Sequence, residues 1–336
     1  SEIVRMLRVM LGDEIYRKAM DLHFERHDGE AATVDDFLAV FADASGRDLS
    51  QFALWYHQSG TPHLSIATNY DARRRSFTID IEQTIAPTRS EGRKRAMHIP
   101  LAFGLVGPNG ADMDYHVEDG AVVADGVFHL RKRRQSVTLT GVGAEPMLSI
   151  NRGFSAPVTI ALESGRHGHA FLARHDSDPF NRWQALNDMA TAELVDATRD
   201  VRGDKTPDFS DTLIELIGDF ALDAALEPAY RALAVTLPSE ADIAREIGEN
   251  LDPDAIHAAR EALVSAIATR HGKALRNLFD SLADNGPFAP DAESAGRRAL
   301  RNAALAFLEA APGGLTLCAS AFADAGNMTD RLAALT

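Results

Sequence analysis

Apolar residues recur at helical spacing through the first 58 residues and then begin to alternate with polar residues. The change falls in the stretch from Trp55 to Pro62. Gly60 tolerates the left-handed conformation of a helix C-terminus, and Pro62 prevents a helix from resuming. Before this junction, the spacing predicts four short helices. Their apolar stripes are Ile3-Leu7-Met10, Ile15-Tyr16-Met20, Phe37-Val40-Phe41 and Leu49-Phe52-Trp55.

Three residues in this segment are suited to cap helices at their N-termini. Asp13, Thr33 and Asp48 each precede or open an apolar stripe, and their side chains can accept hydrogen bonds from free backbone N–H groups. Helices this short gain most of their stability from packing. We therefore expect them to pack on something larger.

Residues 63 to about 157 carry the alternation of strands with one face in water, most clearly in Ser76–Glu82. Turn signals such as Gly107-Pro108-Asn109-Gly110 and Asp119-Gly120 separate the short runs. This spacing predicts an antiparallel β-sandwich. The other predicted strands are Leu64–Ile66, Ile99–Val106, Gly126–Leu130, Ser136–Thr140 and Met147–Ile150.

From about Val158 onward, helical spacing returns without a strand signal. Many short helices joined by tight turns favour an α-solenoid or helical bundle. The predicted fold is thus multidomain α + β, with boundaries at 1–60, 61–157 and 158–336. The predicted breaks in the last part are Thr206-Pro207, Leu237-Pro238, Asn285-Gly286-Pro287 and Ala311-Pro312-Gly313-Gly314.

Charge and cysteine content exclude several classes of function. The formal net charge of −15 argues against nucleic acid as a partner, because phosphate binding needs a concentrated positive field. Cys318 is the single cysteine, which suits a reducing cytosol. The N-terminus lacks the pattern of a secretory signal, and the apolar stretch from Ala303 to Ala323 is too interrupted to span a bilayer. We therefore expect a cytoplasmic protein without membrane contact.

Both ends of the chain are expected to be cut rather than natural. Ser1 already lies inside a helical pattern and is not a Met, and Thr336 follows another helical pattern directly.

Several motifs resemble blocks of the bacterial aminopeptidase N family of zinc metallopeptidases. Ser1–Met6, Phe24–Gly29 and Trp55–Pro62 resemble the end of its thermolysin-like catalytic domain. Later motifs resemble its helical domain, and their order covers essentially the whole chain. These are Arg174-His175-Asp176, Phe180-Asn181-Arg182-Trp183, Leu237-Pro238-Ser239, Asp252–Ile256, Arg298–Asn302 and Asn327–Asp330.

The family's catalytic motifs are missing from this sequence. The family binds zinc through an H-E-x-x-H helix and a further glutamate, holds the substrate's amino terminus with G-A-M-E-N, and stabilises the intermediate with a tyrosine. In the family these lie upstream of the block that matches Ser1. We therefore assign no catalytic, substrate-binding or metal residue to this chain, and zinc belongs to the parent enzyme.

The resemblance implies a structural, non-catalytic portion of an aminopeptidase. Its expected partners are the missing catalytic domain and, through the parent, peptide substrates. An alternative from a different class is a stand-alone interaction module, because a sandwich fused to a solenoid can bind proteins or peptides on a concave face. A natural reading frame that extends upstream into H-E-x-x-H would favour the first hypothesis.

Two histidine groups deserve comparison with metal sites. His23 and His27 are spaced to share a helical face, but Glu25 lies roughly 200° around the helix from His23 and cannot serve as the base of an H-E-x-x-H site. We expect solvent-facing histidines at a helix end. His167, His169 and His175 have no diagnostic spacing, and we expect a polar connector there.

The remaining candidates are two basic runs and the cysteine. Arg93-Lys94-Arg95 and Arg131-Lys132-Arg133-Arg134 are expected to be solvated edge or loop residues, or to form salt bridges with another domain of the parent. Cys318 lies in an apolar neighbourhood, which predicts a buried, inert thiol.

Overall fold

The computed structural model describes residues 1–89, 91–117, 123–162, 165–283, 286 and 288–335, with side chains from 167 onward in the fourth range. The predicted turn at Asp119-Gly120 and two residues of Asn285-Gly286-Pro287 lie outside the described residues. The chain divides into two compact units, Ser1–Arg182 and Trp183–Thr336. The division at 60 and 157 stays a prediction.

The first 57 residues form the four predicted helices. They are α1 (Glu2–Leu11), α2 (Asp13–His27), α3 (Val34–Ser45) and α4 (Leu54–His57). Thr33 caps α3 as predicted, because its hydroxyl accepts a hydrogen bond from the Asp36 N–H at 3.2 Å.

Two of the three predicted caps are wrong. Gly12, rather than Asp13, occupies the N-cap of α2, and the Asp13 side chain instead pairs with Arg8 at 2.6 Å. The Asp48 carboxylate accepts from the Ser50 N–H at 2.8 Å, and the chain turns before α4 begins at Leu54. Asp48 therefore satisfies a turn, as aspartate often does where the backbone offers a nearby N–H group.

The middle of the chain forms two sheets, which confirms the β-sandwich. One sheet has the order β4-β7-β2-β1-β9 and the other β5-β6-β3-β8. The strands are β1 (His63–Asp71), β2 (Ser76–Thr84), β3 (Ile99–Val106), β4 (His116–Val117), β5 (Val123–Ala124), β6 (Val127–Leu130), β7 (Arg134–Thr140), β8 (Met147–Ile150) and β9 (Thr159–Leu162).

Strand β9 contradicts the prediction that residues after Val158 are only helical. Its Thr159 lies opposite His63 of β1, and the two strands run parallel. The four-residue run from Thr159 to Leu162 has no pattern of its own that separates strand from helix. Its conformation depends on a partner almost a hundred residues away, so local spacing could not reveal it.

The N-terminal helices and the sandwich share one hydrophobic core. Met6 and Phe41 from the helices and Phe52 from the turn before α4 are fully buried in the same cluster as the strand residues Ile79 and Leu101. Each such side chain stabilises the fold by about 1.5–3 kcal/mol through removal from water. The expectation that these short helices pack on a larger domain is confirmed.

Gln83 joins the end of β2 to two loops from inside the sandwich. It is 2% exposed, donates to the carbonyls of Met97 and Lys132 at 3.0 Å each, and accepts from the Met97 N–H at 2.9 Å. A single buried amide thus satisfies three backbone groups that would otherwise lack partners.

We expect Gln83→Met to lower the free energy of unfolding by about 2–3 kcal/mol, because it leaves buried backbone groups without hydrogen bonds. Gln58→Met is the matched control. Gln58 also makes two hydrogen bonds to the backbone of Arg95, but the residue is only half-buried and both bonds are exposed, so water replaces them. Urea unfolding followed by Trp55 fluorescence in a Trp183→Phe background measures both. Equal losses in the two variants would contradict the expectation.

The remainder of the chain is helical, as predicted. The stripes at Ile256–Ile267 and Leu275–Leu282 belong to one continuous helix rather than to short ones. The helices are α5 (Gly165–His175), α6 (Pro179–Arg202), α7 (Asp211–Leu222), α8 (Pro228–Val235), α9 (Glu240–Ile247), α10 (Pro253–Ser281), α11 (Ala292–Leu308), α12 (Gly314–Asp324) and α13 (Met328–Ala333).

Buried charged side chains fix helix ends in the second unit. Glu193 on α6 accepts from the Ser210 N–H at 2.9 Å and from its hydroxyl at 2.6 Å, at the start of α7. Arg231 on α8 donates to the Ala221 carbonyl at 3.1 Å, near the end of α7. Each charge opposes the partial charge of the helix end it meets, which stabilises α7 at both termini.

Candidate functional site

The structure places His23 and His27 side by side on α2, with ring centroids 5.4 Å apart. His23 also meets the Phe37 ring edge-on at 5.3 Å, and its Nδ1 is buried without a hydrogen-bond partner among the described residues. The expectation that both histidines face solvent is wrong. Both are half-buried, because α3 packs against this part of α2. Glu25 is exposed, as its position around the helix requires.

The three histidines of α5 do not converge. His167 is exposed and His169 half-buried, and their separation by two residues turns them about 200° apart. The His175 ring instead packs at a tilt against the Phe171 ring, with centroids 4.8 Å apart. Among the residues that the structure describes, no three or more of His, Cys, Asp and Glu form a group able to hold a metal ion.

Cys318 lies on α12 and is half-buried rather than buried. The predicted full burial is wrong because α12 has apolar residues on most sides, and Leu315 and Phe322 on the same helix remain exposed. Burial raises the pKa of the thiol, with a smaller contribution from Glu309. The thiolate is therefore scarce at neutral pH, which does not favour a nucleophile.

A buried polar cluster connects the sandwich to the turn between α5 and α6. Arg152 donates two hydrogen bonds to Asp112, at 2.9 and 2.8 Å, and one to Asp176 at 3.0 Å. Its Nε donates to the Ser149 hydroxyl on β8 at 2.7 Å, and Asn181 of α6 donates to the same hydroxyl at 2.8 Å. We call these five residues the Arg152 cluster.

The Arg152 guanidinium lies against the backbone of β3. A Cβ on Gly104 would be 2.2 Å from its Cζ, so a larger residue at that position would displace the guanidinium. The Asp176 side chain is fully buried, and burial raises its pKa, whereas the Arg152 hydrogen bonds lower the pKa of Asp112. Asp176 therefore depends on Arg152 for the compensation of its charge.

A second buried cluster lies where the N-terminal helices meet the sandwich. His98, just before β3, and His129 of β6 are 2% and 5% exposed, and their Nε2 and Nδ1 atoms are 3.1 Å apart. Trp55 donates to the His98 carbonyl at 2.9 Å, and the Phe52 ring packs edge-on against the imidazole. We call His98 and His129 the histidine pair.

The electrostatic environment keeps the histidine pair neutral. Burial lowers the pKa of His98 to about 3 and of His129 to about 4, and the guanidinium groups of Arg131 and Arg47 add to both shifts. Asp125 opposes the shift at His129. Two neutral imidazoles can share one N–H, whereas two charged ones could not, so the pair serves packing rather than proton transfer.

Sequence reasoning missed both clusters. The histidine pair did have a sequence signal, because each histidine lies beside or within the apolar run of a predicted strand. His98 lies in Met97–Val106, and His129 lies in Val127–Leu130. No signal of that kind existed for Arg152, whose partners are 3 to 40 residues away in the chain. Both clusters join elements through hydrogen bonds between side chains that are far apart in the sequence.

Two family models match the chain from residue 60 onward. One, described as a domain of unknown function (DUF3458) with an Ig-like fold, matches residues 60–163. The other, described as a domain of unknown function (DUF3458_C) with ARM repeats, matches residues 166–336, which is more than half of the chain. The chain belongs to the DUF3458_C family. The two family models follow each other in the predicted order, with an Ig-like sandwich before a helical array.

Relatives of this DUF3458_C protein carry the name aminopeptidase N. It is 40% identical to that of Caulobacter vibrioides, 33% to that of Escherichia coli K12 and 30% to that of Haemophilus influenzae, in each case over the whole of this chain. The chain spans 38% of the length of each relative. The predicted resemblance to the C-terminal portion of aminopeptidase N is confirmed.

A solved structure shares the fold. The crystal structure of Legionella pneumophila aminopeptidase A in complex with aspartic acid matches 99% of this chain and 38% of that chain, with a TM-score of 0.82 at 23% identity. In the described part of the chain, no helix is both long and apolar enough to cross a membrane.

Proposed function

We propose that this chain is a structural, non-catalytic portion of a cytoplasmic zinc aminopeptidase. The parent removes N-terminal residues from peptides, and this portion supplies the last helices of its catalytic domain, the sandwich and part of its helical domain. Zinc and peptide substrates are bound by the parent, and the partner of this chain is the catalytic domain that precedes it.

The observation that carries the proposal is the similarity of the whole of this chain to 38% of the length of proteins named aminopeptidase N, combined with the chemistry of the side chains described below. Of the described residues, His23 and His27 come nearest to a metal site. A Glu30 carboxylate lies 3.7 Å from His27, but these side chains belong to no group of three or more potential ligands among the described residues. Zinc sites of hydrolases need three protein ligands and an open position. These residues do not fit zinc, so no step of hydrolysis is assigned to them.

The internal clusters support the structural role. In the Arg152 cluster and the histidine pair, buried polar groups join separate elements. Such networks make a fold rigid, which fits a structural role better than a catalytic one. A portion that holds the wall of a peptidase in place needs this kind of rigidity, because reacting groups must be held within a fraction of an ångström.

We expect the purified chain to bind no stoichiometric zinc and to leave alanyl-4-nitroanilide intact. A chimera tests the positive part of the proposal, with this chain replacing the matching segment of Caulobacter vibrioides aminopeptidase N. The chimera is expected to hydrolyse the substrate, whereas the same relative with the segment deleted is not.

Two results would overturn the proposal. One is steady turnover with bound zinc by the isolated chain. The other is a folded chimera, cooperative in thermal unfolding, that shows no activity although the unmodified relative is active under the same conditions.

A further inference from the structure

One end of the sandwich carries five exposed cations on two neighbouring loops. Arg93 and Arg95 lie on the loop between β2 and β3, and Arg131, Lys132 and Arg133 form the turn between β6 and β7. We call these five residues the basic end. The chain as a whole has a net charge of −15, so this concentration of positive charge departs from the rest of the surface.

Glutamine side chains hold the backbone of both loops. Gln58 forms two hydrogen bonds with Arg95, accepting from its N–H at 2.8 Å and donating to its carbonyl at 3.0 Å. Gln51 links the loops, because its amide donates to the carbonyls of Ala96 and Arg131 at 3.0 and 2.6 Å. Gln83 links them again at Met97 and Lys132.

A fourth glutamine, at the start of β7, also supports the turn. The Gln135 carbonyl oxygen accepts from the N–H groups of Arg131 and Lys132 at 2.9 and 3.2 Å, and its amide donates to the His129 carbonyl at 3.0 Å. The loops are therefore fixed through their main chain. The Arg131 Nε donates to His98 Nε2 at 3.5 Å, and the other four charged side chains remain exposed. A preorganised surface loses little entropy on binding.

The five cations have no carboxylate partner within ion-pair distance in the described part of the chain. Their neighbours differ, since Arg134 pairs with Glu82 at 2.9 Å and Lys94 pairs with Glu91. The cations that flank the basic end are thus neutralised by carboxylates of this chain, whereas the cations of the basic end are not. Unpaired charges on a rigid surface give specificity for a complementary charge pattern.

We propose that the basic end docks a carboxylate-rich polypeptide surface. Arginine side chains recognise carboxylates through paired hydrogen bonds. An acidic segment of this chain already packs beside the basic end, since residues 1–60 carry 11 Asp and Glu against 6 Lys and Arg. Asp48 belongs to this segment. The Ser50 hydrogen bonds lower the pKa of Asp48, and the nearby Arg131 guanidinium lowers it further.

Phosphate polymers fit this surface less well. Single-stranded nucleic acid is held by aromatic side chains as well as by cations, and residues 89–98 and 131–134 contain no Phe, Tyr or Trp. Carboxylate groups of a polypeptide need no such stacking on aromatic rings, because arginine recognises them through paired hydrogen bonds.

The test measures binding of labelled poly-L-glutamate by fluorescence anisotropy. The buffer contains about 0.01 M salt, at which the Debye length is about 30 Å and charges are only weakly screened. The variant Arg95→Gln, Lys132→Gln, Arg133→Gln removes three charges of the basic end and leaves Arg131 beside the histidine pair. The matched control is Arg73→Gln, Arg74→Gln, Arg75→Gln, which removes three arginines from the β1–β2 turn, about 26 Å away along β2.

We expect the basic-end variant to weaken binding about 5- to 30-fold, and the control variant less than about 2-fold. Binding of the original chain should also weaken as salt increases. Three outcomes would overturn the proposal: no binding of poly-L-glutamate, equal weakening by both variants, or tighter binding of polyuridylate or phosphatidylserine vesicles at the same salt. Hydrolysis is not measured here, so the result is independent of the proposed function.

Discussion

Replacing Arg152 by leucine is expected to lower the free energy of unfolding of the first unit by about 3–5 kcal/mol. The substitution removes the hydrogen bonds to Asp112, Ser149 and Asp176 and leaves the fully buried Asp176 carboxylate without its cation. An uncompensated buried charge costs more than the lost attraction, because its desolvation is no longer offset.

The measurement is urea unfolding followed by fluorescence in a Trp183→Phe background. Trp55 then reports on the first unit alone, since the chain has two tryptophans and Trp183 belongs to the second unit. The control is Arg134→Leu, which breaks an ion pair with Glu82 whose arginine side chain is 77% exposed. That pair should contribute at most about 1 kcal/mol.

A second substitution separates charge burial from lost packing. If the unpaired Asp176 carboxylate causes the instability, Arg152→Leu with Asp176→Asn should recover part of it, because a neutral amide costs less to bury. Two results would contradict the assignment. One is a loss of stability in Arg152→Leu no larger than that in Arg134→Leu. The other is a double variant whose loss of stability exceeds the summed losses of Arg152→Leu alone and Asp176→Asn alone.

Lowering the pH from 7 to 4.5 is expected to destabilise the first unit by about 2 kcal/mol for each member of the histidine pair. Burial lowers the pKa of His98 to about 3 and of His129 to about 4, whereas an unfolded histidine titrates near 6.5. Between these values the unfolded chain binds protons that the folded chain does not. Stability is therefore present above about pH 6.5 and is lost as the pH falls toward the folded pKa values.

Carboxylates also contribute to acid unfolding, so the variant His98→Gln, His129→Gln is needed. Glutamine keeps a hydrogen-bonding side chain at each position and does not titrate. The difference in stability between pH 7 and 4.5, from urea unfolding followed by Trp55, should shrink by several kcal/mol in this variant. An unchanged difference would mean that the imidazoles gain protons in the folded state at the same pH as in the unfolded chain.

Much of the secondary structure could be predicted from the sequence because it depends on neighbours. The bounds of β3 and β8 agree with the alternation that predicted them, and Thr33 caps α3 through an atom three residues away. The prediction failed where two local solutions compete. Asp48 can cap a helix or satisfy a turn, and only the docking of Phe52 into the shared core selects the turn.

The sequence by itself determined the order of helices, sandwich and helical array, and the family to which the chain belongs, because hydrophobic periodicity and motif order are read along the chain. Only the tertiary structure decided that β9 joins β1, that Arg152 holds the α5–α6 turn, and that four glutamines fix the basic end. These features depend on pairs of residues far apart in sequence. A buried amide or guanidinium gains its partners only when folding brings distant backbone groups within about 3 Å of it.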